Sequence, residues 1–263
     1  MPERTFQIKT AKASDVGRVR GNNEDAVSVD RTTGLLILAD GMGGYNAGEV
    51  ASALAVSRAA EVVRAGWREL SLEAAWQPGA RHPVSELLMQ ALQSAHDAVH
   101  QMARSRPECA GMGTTVVAAL PYGRHLAVAF VGDSRLYRWR EGTLEQLTRD
   151  HSLFEQLIAN GQYTREQATR HVRKNIVTRA LGIDAQLQVE VLELTLQADD
   201  LLLLCSDGLS DMLDNAAIAR VLAEHAEDLD ALAHALIDAA NARGGHDNIS
   251  VVLGRIVALP KTA

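Results

Sequence analysis

Two rhythms organise the apolar positions of this chain. Short β-rich runs bounded by Gly, Asp and Asn read as strands at residues 6–13 (FQIKTAKA), 26–30, 34–40 (GLLILAD), 114–120, 125–132 (HLAVAFVG), 135–140, 187–194, 201–206 (LLLLCS) and 249–257 (ISVVLGRIV). Longer stretches with apolar residues three and four apart predict helices over residues 48–65, 83–103, 152–161, 215–226 and 229–242. RLYRWREGTLEQL predicts a hairpin turning at Gly142.

Most strands are separated by short turns and the long helices come in pairs. That favours mainly antiparallel sheets with helices laid on them, an α+β class. LLLLCS shows no polar alternation, so such strands need cover on both faces. Two stacked sheets with helices outside would supply it. No internal repeat, low-complexity tract or Pro/Gly linker interrupts the pattern, and a single domain spanning residues 1–263 is the simplest reading.

Composition narrows the functional classes. Apolar residues are 47% and charged ones 22%, ordinary globular values, while aromatics at 4% leave the core to Leu, Val, Ile and Ala. A formal charge of −7 argues against general affinity for nucleic acid or anionic membrane. Cys109 and Cys205 have no CxxC or disulfide-like spacing, the first residues lack the oily stretch of a signal peptide, and no run approaches the ~20 apolar residues of a membrane span. The expectation is a soluble, cytoplasmic, reduced protein, monomeric, without nucleic-acid or membrane partners.

Against that background the acids stand out. Asp25, Asp40, Asp133, Asp207 and Asp247 all flank strand-like segments, four of them with a glycine within two positions, and Glu24 adds a sixth acid. Any one alone reads as a turn residue. As a set they could meet at one rim, because the ends of neighbouring strands converge there. Crowded carboxylates repel and their pKa values rise unless a cation sits among them. Hard divalent ions such as Mg²⁺ and Mn²⁺ suit that role, preferring oxygen ligands and retaining waters. Gly41, lacking a Cβ, would let its carbonyl or a water approach. Arg20 lies four residues before Glu24 and could grip a tetrahedral anion with two hydrogen bonds, although a plain surface arginine is its ordinary reading. Acids for metal plus an arginine for an oxyanion suggest two-metal hydrolysis of a phosphate ester.

RGNNED (20–25), ADGMGG (39–44), GMGTT (111–115), VGDSR (131–135), VTRALG (177–182), SDGLSD (206–211) and HDNIS (246–250) stand in the order seen in metal-dependent protein phosphatases. The sequence resembles the PPM type (protein phosphatase 2C), most of all its compact bacterial members, over residues 14 to 253. Each motif is weak alone; their order and spacing together are specific. The resemblance implies a four-layer α-β-β-α sandwich, two mainly antiparallel sheets flanked by helical pairs, with a binuclear Mn²⁺ or Mg²⁺ centre at one end. Carried over by position, Asp40 would bridge two metals, Asp207 and Asp247 would complete one site, and Glu24 and the Gly41 carbonyl would serve the other, partly through water. Asp25 would orient metal-bound water, Asp133 would share a third, weaker metal with Asp207, and Arg20 would bind the substrate phosphate. The implied activity is removal of phosphate from phosphoserine and phosphothreonine in proteins, opposing a bacterial Ser/Thr kinase.

One departure stands at Met42, where many eukaryotic relatives carry a histidine proposed as general acid. The leaving alkoxide then needs another proton source, a water held by Asp133. Residues 150–175 resemble the family's flap, within a flap subdomain at about 150–180, and place Arg165, Arg170, His171, Arg173 and Lys174 as a phosphopeptide guide or a solvated helical face. Two other classes are a non-catalytic module of the same fold and a phosphatase of a partner-switching regulator; retention of every acid favours the enzyme. HDAVH (96–100) has a zincin-like spacing, but Asp97 replaces the required Glu, so two surface histidines are expected. Neither cysteine has an arginine six residues on, since positions 115 and 211 are Thr115 and Asp211, which excludes a cysteine-phosphatase loop. Cys205 is expected in the core.

Overall fold

A computed structural model describes residues 6–44, 47–70, 81–172 and 176–259. Eleven strands and seven α-helices are present among them. One sheet is built from β1 (Phe6–Asp15), β11 (Ile249–Ala258), β10 (Leu201–Cys205), β7 (Arg135–Arg140) and β8 (Thr143–Gln146), in that order. The other runs β2 (Asp25–Asp30), β3 (Leu35–Met42), β5 (Val116–Tyr122), β6 (His125–Val131) and β9 (Glu190–Thr195), with the short β4 (Gly113–Thr114) on β3. Every pairing among the named strands is antiparallel. The β7–β8 hairpin turns through Glu141 (φ 49°) and Gly142 (φ 78°), the paired left-handed conformations of a two-residue turn.

The oily strands carry two buried faces because the pleat alternates. Leu36 and Leu38 of β3 meet Leu202, Leu204 and Val252 between the sheets, while Leu35 and Ile37 point outward. There they are covered by α1 (Ala47–Trp67) and α2 (Pro83–Ser105), whose buried residues recur every three or four positions. On the opposite side, Leu203, Cys205, Val251 and Leu253 lie under α6 (Asn215–Glu224) and α7 (Leu229–Ala242). The result is the expected α-β-β-α stack. Two short helices, α3 (Leu153–Ala159) and α4 (Arg165–His171), stand apart between β8 and β9, each started by a hydroxyl cap from Ser152 and Thr164. The sequence signal reached α3; α4, seven residues with little apolar periodicity, is held by a Thr164–Gln167 capping box. Among the described residues no helix is long and apolar enough to cross a membrane.

Strand direction places the acids. β2 begins at Asp25 opposite Asp40 near the end of β3, β6 ends just before Asp133, β10 ends just before Asp207, and β11 begins just after Asp247. All five lie at one rim of the sandwich.

Candidate active site

Four of the five rim aspartates, Asp40, Asp133, Asp207 and Asp247, line a cleft of about 440 Å³ together with Arg20 and Glu24, while Asp25 is not part of its wall. Asp40 is the most tightly held. Its backbone N–H donates to Thr115 Oγ1 (3.1 Å), and its carbonyl accepts from the Thr114 hydroxyl (2.8 Å) and the Thr115 N–H (2.9 Å). Thr115 Oγ1 also lies 2.6 Å from Ser134 Oγ, which joins this strand end to the loop carrying Asp133.

Burial and mutual repulsion dominate the electrostatics. Loss of water, then the charges of Asp25, Asp207, Asp133 and Asp247, hold the Asp40 carboxyl well above the ordinary carboxylate range. Burial and neighbouring Asp247 push Asp207 up to about 6. Burial, partly offset by hydroxyls of Ser250 and Ser206, pushes Asp25 up to about 7, and burial with Asp207 does the same to Asp133. The Asp40 and Asp207 carboxyls are close enough to influence each other's ionisation, and burial makes the ionised form of each costly. The structure therefore brings five aspartates into electrostatic reach of a common centre.

Arg20 reaches over them and its Nη2 donates to Asp247 Oδ2 at 2.7 Å. The Arg20 side chain is 52% exposed and that of Asp247 35%, so this pair contributes little and can be exchanged for another anion. Asp247 Oδ1 accepts from the Asn248 N–H. In this arrangement, among the described residues, no three acidic, histidine or cysteine side chains already form a complete ligand cage. Three observations nonetheless fit a divalent ion to the site. The donors are hard oxygens, their pKa values are raised for want of a counter-charge, and Asp25 Oδ1 is buried without a hydrogen-bond partner among the described residues.

Gly41 is needed for a reason other than an open approach from the cleft. A Cβ there would fall on the Gly48 carbonyl oxygen at the start of α1 and 2.6 Å from the Glu24 carbonyl oxygen. The residue lets β3, α1 and the Glu24 segment meet backbone to backbone.

Several residues that pattern reading left unassigned hold the site. Asn248 Nδ2 donates to the carbonyls of Val16 and Asn22, and its Oδ1 accepts from the Glu24 N–H, so one buried amide fixes the loop that carries Arg20 and Glu24. Ser206 Oγ donates to Asp25 Oδ2 (2.8 Å). Asp211 lines the cleft beside Asp207, and Met42 lines it as well. The Asp-Asn and Ser-Asp pairs in HDNIS and SDGLSD were the available signals. A second cavity of about 160 Å³ adjoins the first through Asp133, Asp207 and Asp211 and reaches α3 and α4 at Phe154 and Arg165. Arg165 is already engaged by Glu155 at 2.8 Å, Arg170 and His171 are exposed, and Arg173 and Lys174 lie outside the described residues. Arg135 grips Asp150 through Nε and Nη2 (2.7–3.1 Å), tying the Asp133 loop to the foot of this helical pair.

The expected surface histidines are a correction. His96 is only 1% exposed, and its Nδ1 accepts from the Gly182 N–H at 3.1 Å, while His100 Nδ1 lies 3.0 Å from the Gly182 carbonyl. The sequence reading missed this because the partner is backbone 86 residues away. Cys205 is in the core as expected, and Cys109 is buried too.

The family model of protein phosphatase 2C matches residues 18–242. The chain is 37% identical over 243 residues to the serine/threonine phosphatase stp of Listeria welshimeri, covering 91% of this chain and 92% of that protein. The crystal structure of the Mycobacterium tuberculosis serine/threonine phosphatase PstP/Ppp superposes with a TM-score of 0.82 at 35% identity, covering 95% of this chain and 99% of that one. The catalytic domain of PstP in complex with two manganese ions superposes with a TM-score of 0.80 at 34% identity, over 96% of this chain and all of that one.

Proposed function

This chain belongs to the protein phosphatase 2C family, and we propose that it is a metal-dependent protein phosphatase releasing inorganic phosphate from phosphoserine and phosphothreonine. The observation that carries the proposal is the convergence of acids from five strand ends beneath the exchangeable Arg20. We assign residues 1–263 to one catalytic domain with a flap at about 150–180.

Asp40, Asp207 and Asp247 would hold one divalent ion, with Asp40 shared by a second that Glu24 and the Gly41 carbonyl serve; Asp133 and Asp207 would hold a third. The ions, Mn²⁺ or Mg²⁺, supply neutralising charge and an activated water nucleophile when bound. Arg20 leaves Asp247 to take two phosphate oxygens, orienting the ester at the cleft mouth. Asp25, held by Ser206 on one oxygen, has in its buried, unpartnered Oδ1 the acceptor that would orient the attacking water. Water adds to phosphorus, the P–O bond to the serine or threonine oxygen breaks, and that oxygen takes a proton. Met42 cannot donate it, so the proton comes from water held by Asp133. A Ser/Thr kinase of the same cell is the proposed counterpart.

The test is direct. Phosphate release from a phosphoserine peptide should require Mn²⁺ or Mg²⁺ and stop with EDTA; a purified, folded protein inert at saturating Mn²⁺ would leave only the non-catalytic module.

Arg170, exposed on α4, is a proposed phosphopeptide guide. Arg170→Glu should raise KM for a phosphopeptide about three- to tenfold, the scale of one to two weak charge contacts, and leave KM for p-nitrophenyl phosphate nearly unchanged. Equal shifts for both substrates would assign α4 a merely structural part.

A further inference from the structure

We propose that His96 and His100 are positioning residues: together they clamp Gly182 and so fix the 176–182 strap, whose Val177 lines the active cleft. The proposal rests on the phosphatase reading and deepens it. Neither histidine touches the reacting atoms.

The chemistry of the pair is specific. The Gly182 N–H donates to His96 Nδ1, so that nitrogen carries a lone pair and the proton sits on Nε2. The Gly182 carbonyl can only accept, so His100 Nδ1 carries its proton and donates. Two rings one helical turn apart, 5.7 Å between centroids and 11° from parallel, therefore present one acceptor and one donor to the two polar groups of a single residue. Burial keeps His96 below the ordinary imidazole range, against the charges of Asp97 and Asp184 and with that of His100, so the neutral acceptor form prevails at neutral pH. The same tautomer argues against a zinc site, since His96 Nε2 has no lone pair to give.

The strap is then traceable to the cleft. Gly182 has φ +86°, and a Cβ there would strike Val99 of α2, so the backbone lies directly on the helix. One residue back, Leu181 and Thr114 exchange both backbone hydrogen bonds (2.8 and 3.1 Å), and the Thr114 hydroxyl donates to the Asp40 carbonyl. At the other end the Leu153 N–H donates to the Ile176 carbonyl, the Thr178 N–H donates to the His151 carbonyl, and Gln156 of α3 donates to Thr178 Oγ1. Val177, between these anchors, lines the cleft. The strap is thus stitched to the flap at one end and to Asp40 and α2 at the other, and the histidine pair is its terminal fastening.

His96→Leu removes the acceptor at similar bulk; His96→Asn restores an acceptor where Nδ1 stood. His96→Leu should raise KM for a phosphoserine peptide about three- to tenfold, the scale of one lost neutral hydrogen bond, with kcat for p-nitrophenyl phosphate at saturating Mn²⁺ within about twofold of the parent. His96→Asn should recover most of the peptide KM. In hydrogen exchange the Gly182 and Leu181 amides should lose protection in His96→Leu and regain it in His96→Asn. His100→Leu, which removes only the donor, should give the same KM pattern if His96→Leu does not fold. An unchanged peptide KM in the folded leucine variants, or an asparagine variant no better than leucine, overturns the clamp. If the parent protein hydrolyses nothing, the phosphatase reading fails instead, and equal Gly182 exchange in parent and folded leucine variants still decides against the clamp.

Discussion

Asp207→Asn should abolish Mn²⁺-dependent phosphate release, by about a hundredfold or more, and at the same time make the metal-free protein more stable. The first half follows from the place of Asp207, which lines both cavities at the rim it shares with Asp40 and Asp247. Asparagine keeps the shape and loses the charge. The second half follows from electrostatics. Burial and Asp247 raise the folded-state pKa of Asp207 to about 6, above its value in an unfolded chain. A group with a raised pKa binds more protons folded than unfolded, so its contribution is fully favourable below the unfolded value and is lost as pH climbs through the folded one. In EDTA the parent should therefore lose stability relative to Asp207→Asn between about pH 4 and pH 7 and stay below it at pH 8. Added Mn²⁺ should reverse the order, because a ligand that binds only the folded state stabilises it in proportion to its affinity. Thermal melts of both proteins, with EDTA and with Mn²⁺, at pH 5 and pH 8, measure all of this. Equal Mn²⁺-induced rises in Tm would show that Asp207 is not a metal ligand. An EDTA-treated parent more stable than the variant at pH 8 would show that the acids do not repel.

How much of this was legible beforehand depends on distance along the chain. The strands and their two buried faces were readable because side-chain alternation is local: Leu35 to Ala39 already shows an unbroken oily run that needs covering on both sides. The β7–β8 hairpin was readable because Gly142 marks its own turn. That the acids share a rim followed from their standing at strand ends. What could not be read were pairings made across the whole chain. The first strand pairs with the last, Phe6 opposite Ala258, and nothing local announces it. Asn248 serves Glu24 and Asn22 from more than two hundred residues away, and His96 finds Gly182 in the same manner. Short side chains whose partner is distant backbone leave no periodicity, so they look like loop or surface residues until the chain is folded. Gly41 illustrates a subtler limit: the sequence marks that a side chain is excluded, but not from which direction the exclusion comes.

That direction makes Gly41→Ala the most destabilising small substitution expected at the site. A Cβ at position 41 would fall on the Gly48 carbonyl oxygen, and it would come within 2.6 Å of the Glu24 carbonyl oxygen. Both obstacles are backbone, and both are fixed from elsewhere: Glu24 O accepts from the Gly41 N–H (3.1 Å) and from Ser52 Oγ (2.6 Å), and Gly48 sits in the first turn of α1. Gly66 offers the contrast, since a Cβ there meets only the tip of Leu87, which can rotate away. Overpacking against movable side chains costs about 1–3 kcal/mol. Against backbone on two sides the cost should exceed about 4 kcal/mol, the range reserved for broken architecture. Whatever folded protein remains should need more Mn²⁺ to reach half-maximal rate, because moving β3 away from α1 displaces Asp40 and Glu24 together. Gly21→Ala, where nothing lies within 4 Å of the added carbon, should melt like the parent and keep its metal dependence. A Gly41→Ala protein that matches Gly21→Ala in both melting and Mn²⁺ titration would mean that β3, α1 and the Glu24 segment are not in backbone contact, and the packing that aims Asp40 into the cleft would have to be redrawn.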